Sequence, residues 1–237
     1  MNICIIGGGL TSLSLAKSLV NKKIKVDLYY ENKIKNLFSS RTIGISKNNL
    51  EFFKKEIHDI SNKILWEINK IEIYSEKLEK ENLLKFENDK DCLFYMVKND
   101  DLYKSLISKI SENKFFKKNK IKDKYFYADL LKKNEYDLII NCESNNFLSK
   151  KYFTKKIDKD YENCAYTTIL EHKRITNDIA TQIFTKNGPI AFLPISNNKT
   201  SVVLSLDTKY KKYSDSDILD LINKNNLNYQ IQKTNKL

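Results

Sequence analysis

Glycine, proline, arginine and histidine are all scarce in this chain, and each shortage closes off a reading. The two histidines, His58 and His172, stand far apart, which leaves neither a histidine-based zinc site nor a histidine-centred catalytic triad. The four cysteines (Cys4, Cys92, Cys142 and Cys164) show no ligand-type spacing. They read as buried, reduced thiols of a cytoplasmic protein, and no metal is expected. Only Arg41 and Arg174 are arginines among 42 basic residues. No segment joins clustered arginine to interleaved aromatics, so no nucleic-acid groove is expected. No apolar run approaches the roughly 18 residues that cross a bilayer. The apolar N-terminus lacks the basic flank of a signal peptide and is broken by three glycines, so it reads as a buried strand and helix. Five glycines and two prolines leave no flexible linker, and there is no internal repeat.

What is abundant is lysine, asparagine, isoleucine, tyrosine and phenylalanine. That skew follows AT-rich codon usage. The net charge of +12 is read as lysines solvated over every surface element rather than as one binding patch. Hydrophobic residues make up 41% of the chain and recur periodically, which argues against disorder. The length fits one large domain or two intergrown ones.

Three of the five glycines are consecutive: Gly7, Gly8 and Gly9. They follow an apolar run, Ile3 to Ile6, and precede a helical pattern in which Leu10, Leu13, Ala16, Leu19 and Val20 share a face. Strand, glycine turn and helix open a dinucleotide-binding βαβ unit. The turn lets backbone N–H groups approach a pyrophosphate, and the helix N-terminus favours its charge. A second strand alternates through Ile24, Val26, Leu28 and Tyr30 and ends at Glu31, about 20 residues beyond the turn, where a carboxylate can accept both hydroxyls of an adenosine ribose. Ser12 takes the place of the fingerprint's third glycine. That glycine serves helix–strand packing, so the motif is altered by one small side chain.

Further along, the pattern predicts a loop over 32–40, then SRTIGISKNN (Ser40 to Asn49) leading into a helix around Leu50 to Glu56. One strand is expected from Trp66 to Ser75, a charged hairpin or exposed turn from Lys77 to Asp91, and an apolar strand from Leu93 to Val97. Asn99 and Asp100 then cap a helix carrying Leu102, Leu106, Ile107 and Ile110. The lysine-rich stretch Lys114 to Lys124 reads as a solvated connection, and Tyr136 to Asn141 as a short buried strand. From Tyr152 onward strand signals dominate (Cys164 to Leu170, Gln182 to Phe184, Ile190 to Ile195 and Thr200 to Leu206), before a helix that begins at Asp215.

Four of these segments, in order, resemble the FAD-dependent aromatic hydroxylases of ubiquinone biosynthesis, within the flavin monooxygenases related to para-hydroxybenzoate hydroxylase. The first is GGGLTSLSLA with Glu31. The second is RTIGIS, Arg41 to Ser46, similar to that family's arginine-containing segment near the flavin. FYMVKNDDLYKSL, Phe94 to Leu106, is similar to its segment opening a helix beside the cofactor. NGPIAFLPIS, Asn187 to Ser196, is similar to its Gly-Pro…Leu-Pro segment and holds both prolines and Gly188. Taken singly these residues have plainer readings: Arg41 as a surface ion-pair partner, Asn99 as a helix N-cap, Ile190 to Leu193 as an ordinary buried strand. Two parts of the family pattern are altered. Its Asp-Gly pair is Glu143-Ser144 here, with Phe147 where serine and Lys150 where arginine are expected. Its third, Gly-Asp flavin motif is not found before Leu237, so the chain looks like the N-terminal two-thirds of such an enzyme, with the C-terminal part of the fold missing.

The resemblance implies an α/β fold class: a Rossmann-like FAD-binding domain with a parallel sheet (1–62 and 96–150), interleaved with a β-rich substrate domain (63–95 and 151–230). It implies FAD as cofactor, with NAD(P)H or another donor as reductant. The flavin then supplies the oxygen chemistry, so no catalytic side chain is named. The cofactor contacts it implies are Gly7 and Gly9 with the helix N-terminus for the pyrophosphate, Glu31 for ribose, Arg41 and Asn99 for the flavin side, and also Ser12 and Glu143. The substrate implied is a small aromatic, a polyprenylated phenol, lying between the segment Gly188 to Ile195 and the flavin. A fatty substrate implies peripheral contact with the inner membrane by an otherwise cytoplasmic protein. The other readings are a different dinucleotide-binding oxidoreductase, or a non-catalytic remnant of the flavin hydroxylase fold.

Overall fold

The computed structural model describes residues 1–31, 41–76, 81–88, 91–122, 125–153, 155, 157, 159–209 and 212–235. The loop expected over 32–40 lies outside the described residues, as do 77–80 and 89–90 of the charged segment. In chain order come β1 (Asn2–Ile6), α1 (Leu10–Asn21), β2 (Lys25–Tyr30), β3 (Thr42–Ser46), α2 (Lys47–Glu56), β4 (Trp66–Ile68) and β5 (Lys70–Ser75). Then follow β6 (Asn82–Glu87), β7 (Phe94–Lys98), α3 (Asn99–Ile110), β8 (Phe116–Lys120), α4 (Phe126–Lys133), β9 (Leu138–Asn141) and α5 (Phe147–Tyr152). The last elements are β10 (Asn163–His172), β11 (Ile179–Thr185), β12 (Gly188–Ser196), β13 (Lys199–Asp207), α6 (Asp215–Asn225) and β14 (Ile231–Thr234).

The chain divides into two compact units. The first comprises Met1–Ser39, Glu51–Ile60 and Asn99–Asp158; the second Ser40–Leu50, Ser61–Lys98 and Lys159–Leu237. The division that the resemblance implies puts 40–50 in the first of these; the segment clusters with the second, where β3 pairs with β7, Ile43 standing opposite Val97.

The first unit is built on a parallel sheet in the order β8-β2-β1-β9. β1 is central, pairing Ile3 with Val26 on one side and with Leu138 on the other. A strand covered on both faces needs a continuous apolar run, which is what Ile3 to Ile6 supplies. Cys4 and Ile6 pack with Tyr127 and Leu130 of α4 and Leu148 of α5. Ile3 and Ile5 alternate to the opposite face. There α1 packs on β1 and on α3, with Leu13, Ala16, Leu102, Leu106 and Ile110 buried.

The second unit holds a seven-stranded sheet in the order β14-β10-β13-β12-β11-β5-β6 and a three-stranded sheet in the order β3-β7-β4. Within the larger sheet only the β11–β5 pair is parallel. Ile190 and Phe192 of β12 pack with Ile218 and Ile222 of α6; each such side chain contributes about 1.5–3 kcal/mol by leaving water. The alternate residues Leu193 and Ile195 pack with Ile68 and Met96 of the smaller sheet. Pro194 is tolerated inside this central strand because the ladder shifts register between Pro194 and Ser196. Gly188 opens β12 at φ +125°, where a Cβ would lie 1.9 Å from the Ser205 carbonyl oxygen, so no other residue fits.

Several expectations change. The span Trp66 to Ser75 is two strands in different sheets, broken at Asn69, whose amide donates to the Asp178 carbonyl at 3.0 Å. The three-residue step from Ile68 to Ile71 is out of phase with a two-residue strand period, which marks the break. The lysine-rich stretch is no mere connection: Phe116–Lys120 is the edge strand β8, Phe116 standing opposite Val26. Lysines on an edge strand guard it against further pairing, and that function hides the strand from a hydrophobic pattern. Of the four cysteines expected to be buried, Cys4 is buried, Cys92 and Cys142 are half-buried, and Cys164, the second residue of β10, is exposed.

Candidate functional site

The C-terminal end of β1 carries the glycine turn. The Gly7 amide donates to the Tyr29 carbonyl at 2.8 Å, and the Cys142 amide to the Ile6 carbonyl at 2.8 Å, so the turn is held between β2 and the residue after β9. These strands leave β1 on opposite sides, which makes this end of the sheet the topological switch point where open α/β sheets bind ligands. Gly7 has φ +136°, and a Cβ there would come within 3.1 Å of Cys142 Cβ, 3.3 Å of a Glu143 carboxylate oxygen and 3.3 Å of Ser12 Oγ. Glycine is thus required by both backbone and space. At Gly9 a Cβ would meet no described atom within 4 Å. Gly9 caps α1 without a side-chain hydrogen bond, and no acidic residue occupies the first turn. Helix amides with no side-chain cap among the described residues suit an anion.

Ser12, at the position of the third glycine, is buried and donates from Oγ to the Gly9 carbonyl at 3.0 Å. The serine therefore ties the turn to the helix rather than obstructing it. Glu31 follows β2, exposed, and one carboxylate oxygen accepts from the Tyr127 hydroxyl at 3.0 Å. Burial first, and then Glu31, push the Tyr127 phenol up to about 12, so it remains a donor across the neutral range.

Glu143 is positioned by a set of asparagine contacts. Asn141 Nδ2 donates to the Glu143 carbonyl at 3.1 Å and to Ser149 Oγ at 2.8 Å, and its Oδ1 accepts from the Glu143 amide at 3.2 Å. Asn146 Nδ2 donates to Asn141 Oδ1 at 2.7 Å, while Asn146 Oδ1 accepts from the Ser149 amide and so caps α5. Burial, and then the neighbouring Glu143 carboxylate, raise the Cys142 thiol above its ordinary value, which keeps it protonated. A cleft of about 600 Å³ opens beside this turn, lined by Cys142, Glu143, Ser144 and Ser149 among others.

Asn99 is the first residue of α3. Its Oδ1 is buried with no hydrogen-bond partner among the described residues, which corrects the simple N-cap reading, since a cap would use that oxygen. A buried, unpaired amide oxygen is costly and fits a residue that meets a ligand. Arg41 lies in the second unit, just before β3, exposed. The structure thus gathers Gly7, Ser12 and Glu143 at one end of β1 and places Gly9 at the start of α1. Tyr127 and Asn141 are side chains of this candidate site that the sequence pattern does not single out. Tyr127 had no signal because the pattern around it was not read as a helix. The polar run Asn141 to Asn146 could have been read as a side-chain-bonded turn.

No family profile and no characterised protein matches the sequence. Solved structures do match the fold. p-Nitrophenol 4-monooxygenase from Pseudomonas putida superposes with a TM-score of 0.69 at 8% identity, over 98% of this chain and 66% of that one. HpxO of Klebsiella pneumoniae, complexed with FAD and uric acid, gives 0.67 at 14% identity, over 94% of this chain and 61% of its own. A geranylgeranyl bacteriochlorophyll reductase-like protein from Thermoplasma acidophilum gives 0.64 at 14%, over 98% and 64%. The chain has the fold of FAD-binding monooxygenases. It spans 61–66% of the length of these three structures.

Proposed function

We propose that this protein binds FAD and acts in the hydroxylation of a small aromatic molecule. The observation that carries this reading is the glycine turn at the switch point: Gly7 packed against Cys142, Ser12 and Glu143, with an uncapped α1 and an open Gly9 in front of it. The residues fit the cofactor. The α1 amides and Gly9 would take the pyrophosphate, Glu31 the adenosine ribose, and the orphaned Asn99 Oδ1 and Arg41 would serve the flavin side, with Glu143 beside Gly7. When bound, reduced FAD supplies the activation of dioxygen that hydroxylates an electron-rich ring. The chain's own residues bind and orient: Tyr127 holds one Glu31 oxygen, and Asn141 fixes the Glu143 backbone. NAD(P)H or another donor would reduce the flavin. The finer substrate, a polyprenylated phenol of ubiquinone biosynthesis with peripheral membrane contact, is supported by the resemblance of NGPIAFLPIS and its companion segments.

A second reading, a flavin-dependent reductase, is favoured by the reductase-like protein, which matches 98% of this chain. Titration of the purified protein with FAD, followed by flavin fluorescence and visible absorbance, tests the shared premise. Saturable binding that Gly9→Val abolishes supports it, and no binding to folded protein overturns it. Oxygen-dependent hydroxylation of a phenol by flavin-loaded protein then separates hydroxylase from reductase.

A further inference from the structure

After the β9 turn the chain exposes Phe147 (47%), Tyr152 (57%), Phe153 (69%) and Ile157 (99%). Scattered apolar residues on a surface need no explanation, but a cluster within one short segment does. The same stretch is strongly cationic: from Ser144 to Ile157 the sequence carries four lysines and no aspartate or glutamate. Leu148 is inserted into the core with Cys4, Ile6, Tyr127 and Leu130 and anchors α5, leaving Phe147, Lys150, Lys151 and Tyr152 exposed. Lys151 Nζ lies 5.8 Å from the Phe147 ring centroid and 5.3 Å from that of Tyr152.

We propose that Phe147, Lys150, Lys151, Tyr152, Phe153 and Ile157, all exposed, seat the protein on an anionic lipid surface. Apolar and aromatic side chains beside lysines, which extend their stems along them, are what the headgroup boundary of an anionic bilayer accommodates. A nucleic acid is the less suitable occupant. Stacking needs free ring faces, and Phe147 already stacks on Tyr127 with centroids 6.0 Å apart and carries Lys151 near its ring. The inference deepens the peripheral contact in the proposed function and rests on that reading only for the presence of a membrane-borne substrate.

The test is co-sedimentation of the whole chain with phosphatidylcholine vesicles, with and without phosphatidylglycerol, and FAD titration on the same samples. Binding is expected only with phosphatidylglycerol, and is expected to fall at about 1 M salt, where charges are screened beyond about 3 Å. Lys151→Gln should lower the partition about fivefold, the effect of one lysine near such a surface. Tyr152→Ser combined with Ile157→Ser should lower it more than about tenfold through lost apolar contact. Phe52→Ser, at another exposed phenylalanine (60%), should change nothing. Equal binding by wild type and the Tyr152/Ile157 pair, or no binding by a folded wild type, overturns the proposal. So does self-association, or retention of a single-stranded oligonucleotide, that the same pair abolishes. FAD binding without vesicle binding removes the surface alone, and vesicle binding without FAD binding removes only the flavin reading.

Discussion

The Tyr127 hydroxyl on α4 donates to a carboxylate oxygen of Glu31, 96 residues away, at 3.0 Å. Glu31 ends β2, and Tyr127 is buried beside Cys4 and Ile6 of β1. The carboxylate proposed above for a ribose is thus held from the core side of the sheet. A pre-oriented acceptor loses less freedom when its ligand binds.

Removing that hydrogen bond should loosen the site without dismantling it. Tyr127→Phe is expected to weaken FAD binding by about 0.5–1.5 kcal/mol, read by fluorescence titration alongside circular dichroism. Unchanged affinity would show that Tyr127 does not orient Glu31 for a ligand.

The same tyrosine makes stability depend on alkaline pH. Its phenol is raised from 10.0 to about 12, so above pH 10 the folded state keeps a proton that the unfolded state gives up. Its stabilising contribution is present in full below pH 10 and is lost as pH rises toward 12. Urea melts between these pH values should show a decline that is shallower in Tyr127→Phe.

Gly7, Gly9 and Gly188 should separate by mechanism. Gly188→Ala places a Cβ 1.9 Å from the Ser205 carbonyl at φ +125° and should cost about 2–4 kcal/mol of stability. Gly9→Val meets no described atom within 4 Å, so the urea midpoint should move little while FAD affinity falls sharply. Gly7→Ala should lose stability and FAD binding together, because its φ of +136° is itself unfavourable for a side chain. A large stability loss in Gly9→Val would contradict the open space in front of α1.

Asn99 offers the opposite sign. With its Oδ1 buried and unpaired, replacement by the similarly sized Leu should raise the stability of the FAD-free protein by about 1 kcal/mol and reduce FAD affinity. Thermal melts with and without FAD give both quantities. A destabilised FAD-free protein would show that the asparagine is structural.

Asn141→Ala should be costly for a different reason. It removes contacts to Glu143, Asn146 and Ser149 together, and about 1–3 kcal/mol is expected from the polar groups left unpaired. Asn141→Asp should recover only the acceptor half, since the Oδ1 contacts survive and the Nδ2 contacts do not.

The sequence by itself determined the βαβ opening. Its signals are local: an apolar run, consecutive glycines, one helical face, and an acid at the end of the next strand. Most strands of the second unit were legible for the same reason, because alternation and turn residues act within a few positions. The tertiary structure decided which distant segments meet. Cys142 and Glu143 stand against Gly7 because β9 pairs with β1 across more than a hundred residues, a register that no local pattern encodes. It also decided that β8, written in lysines, is a strand, since backbone pairing with β2 makes no demand for apolar side chains. Asn99 shows the limit most plainly. The sequence placed it at a helix start, but only packing could bury its oxygen without a partner and so turn a capping residue into a candidate ligand contact.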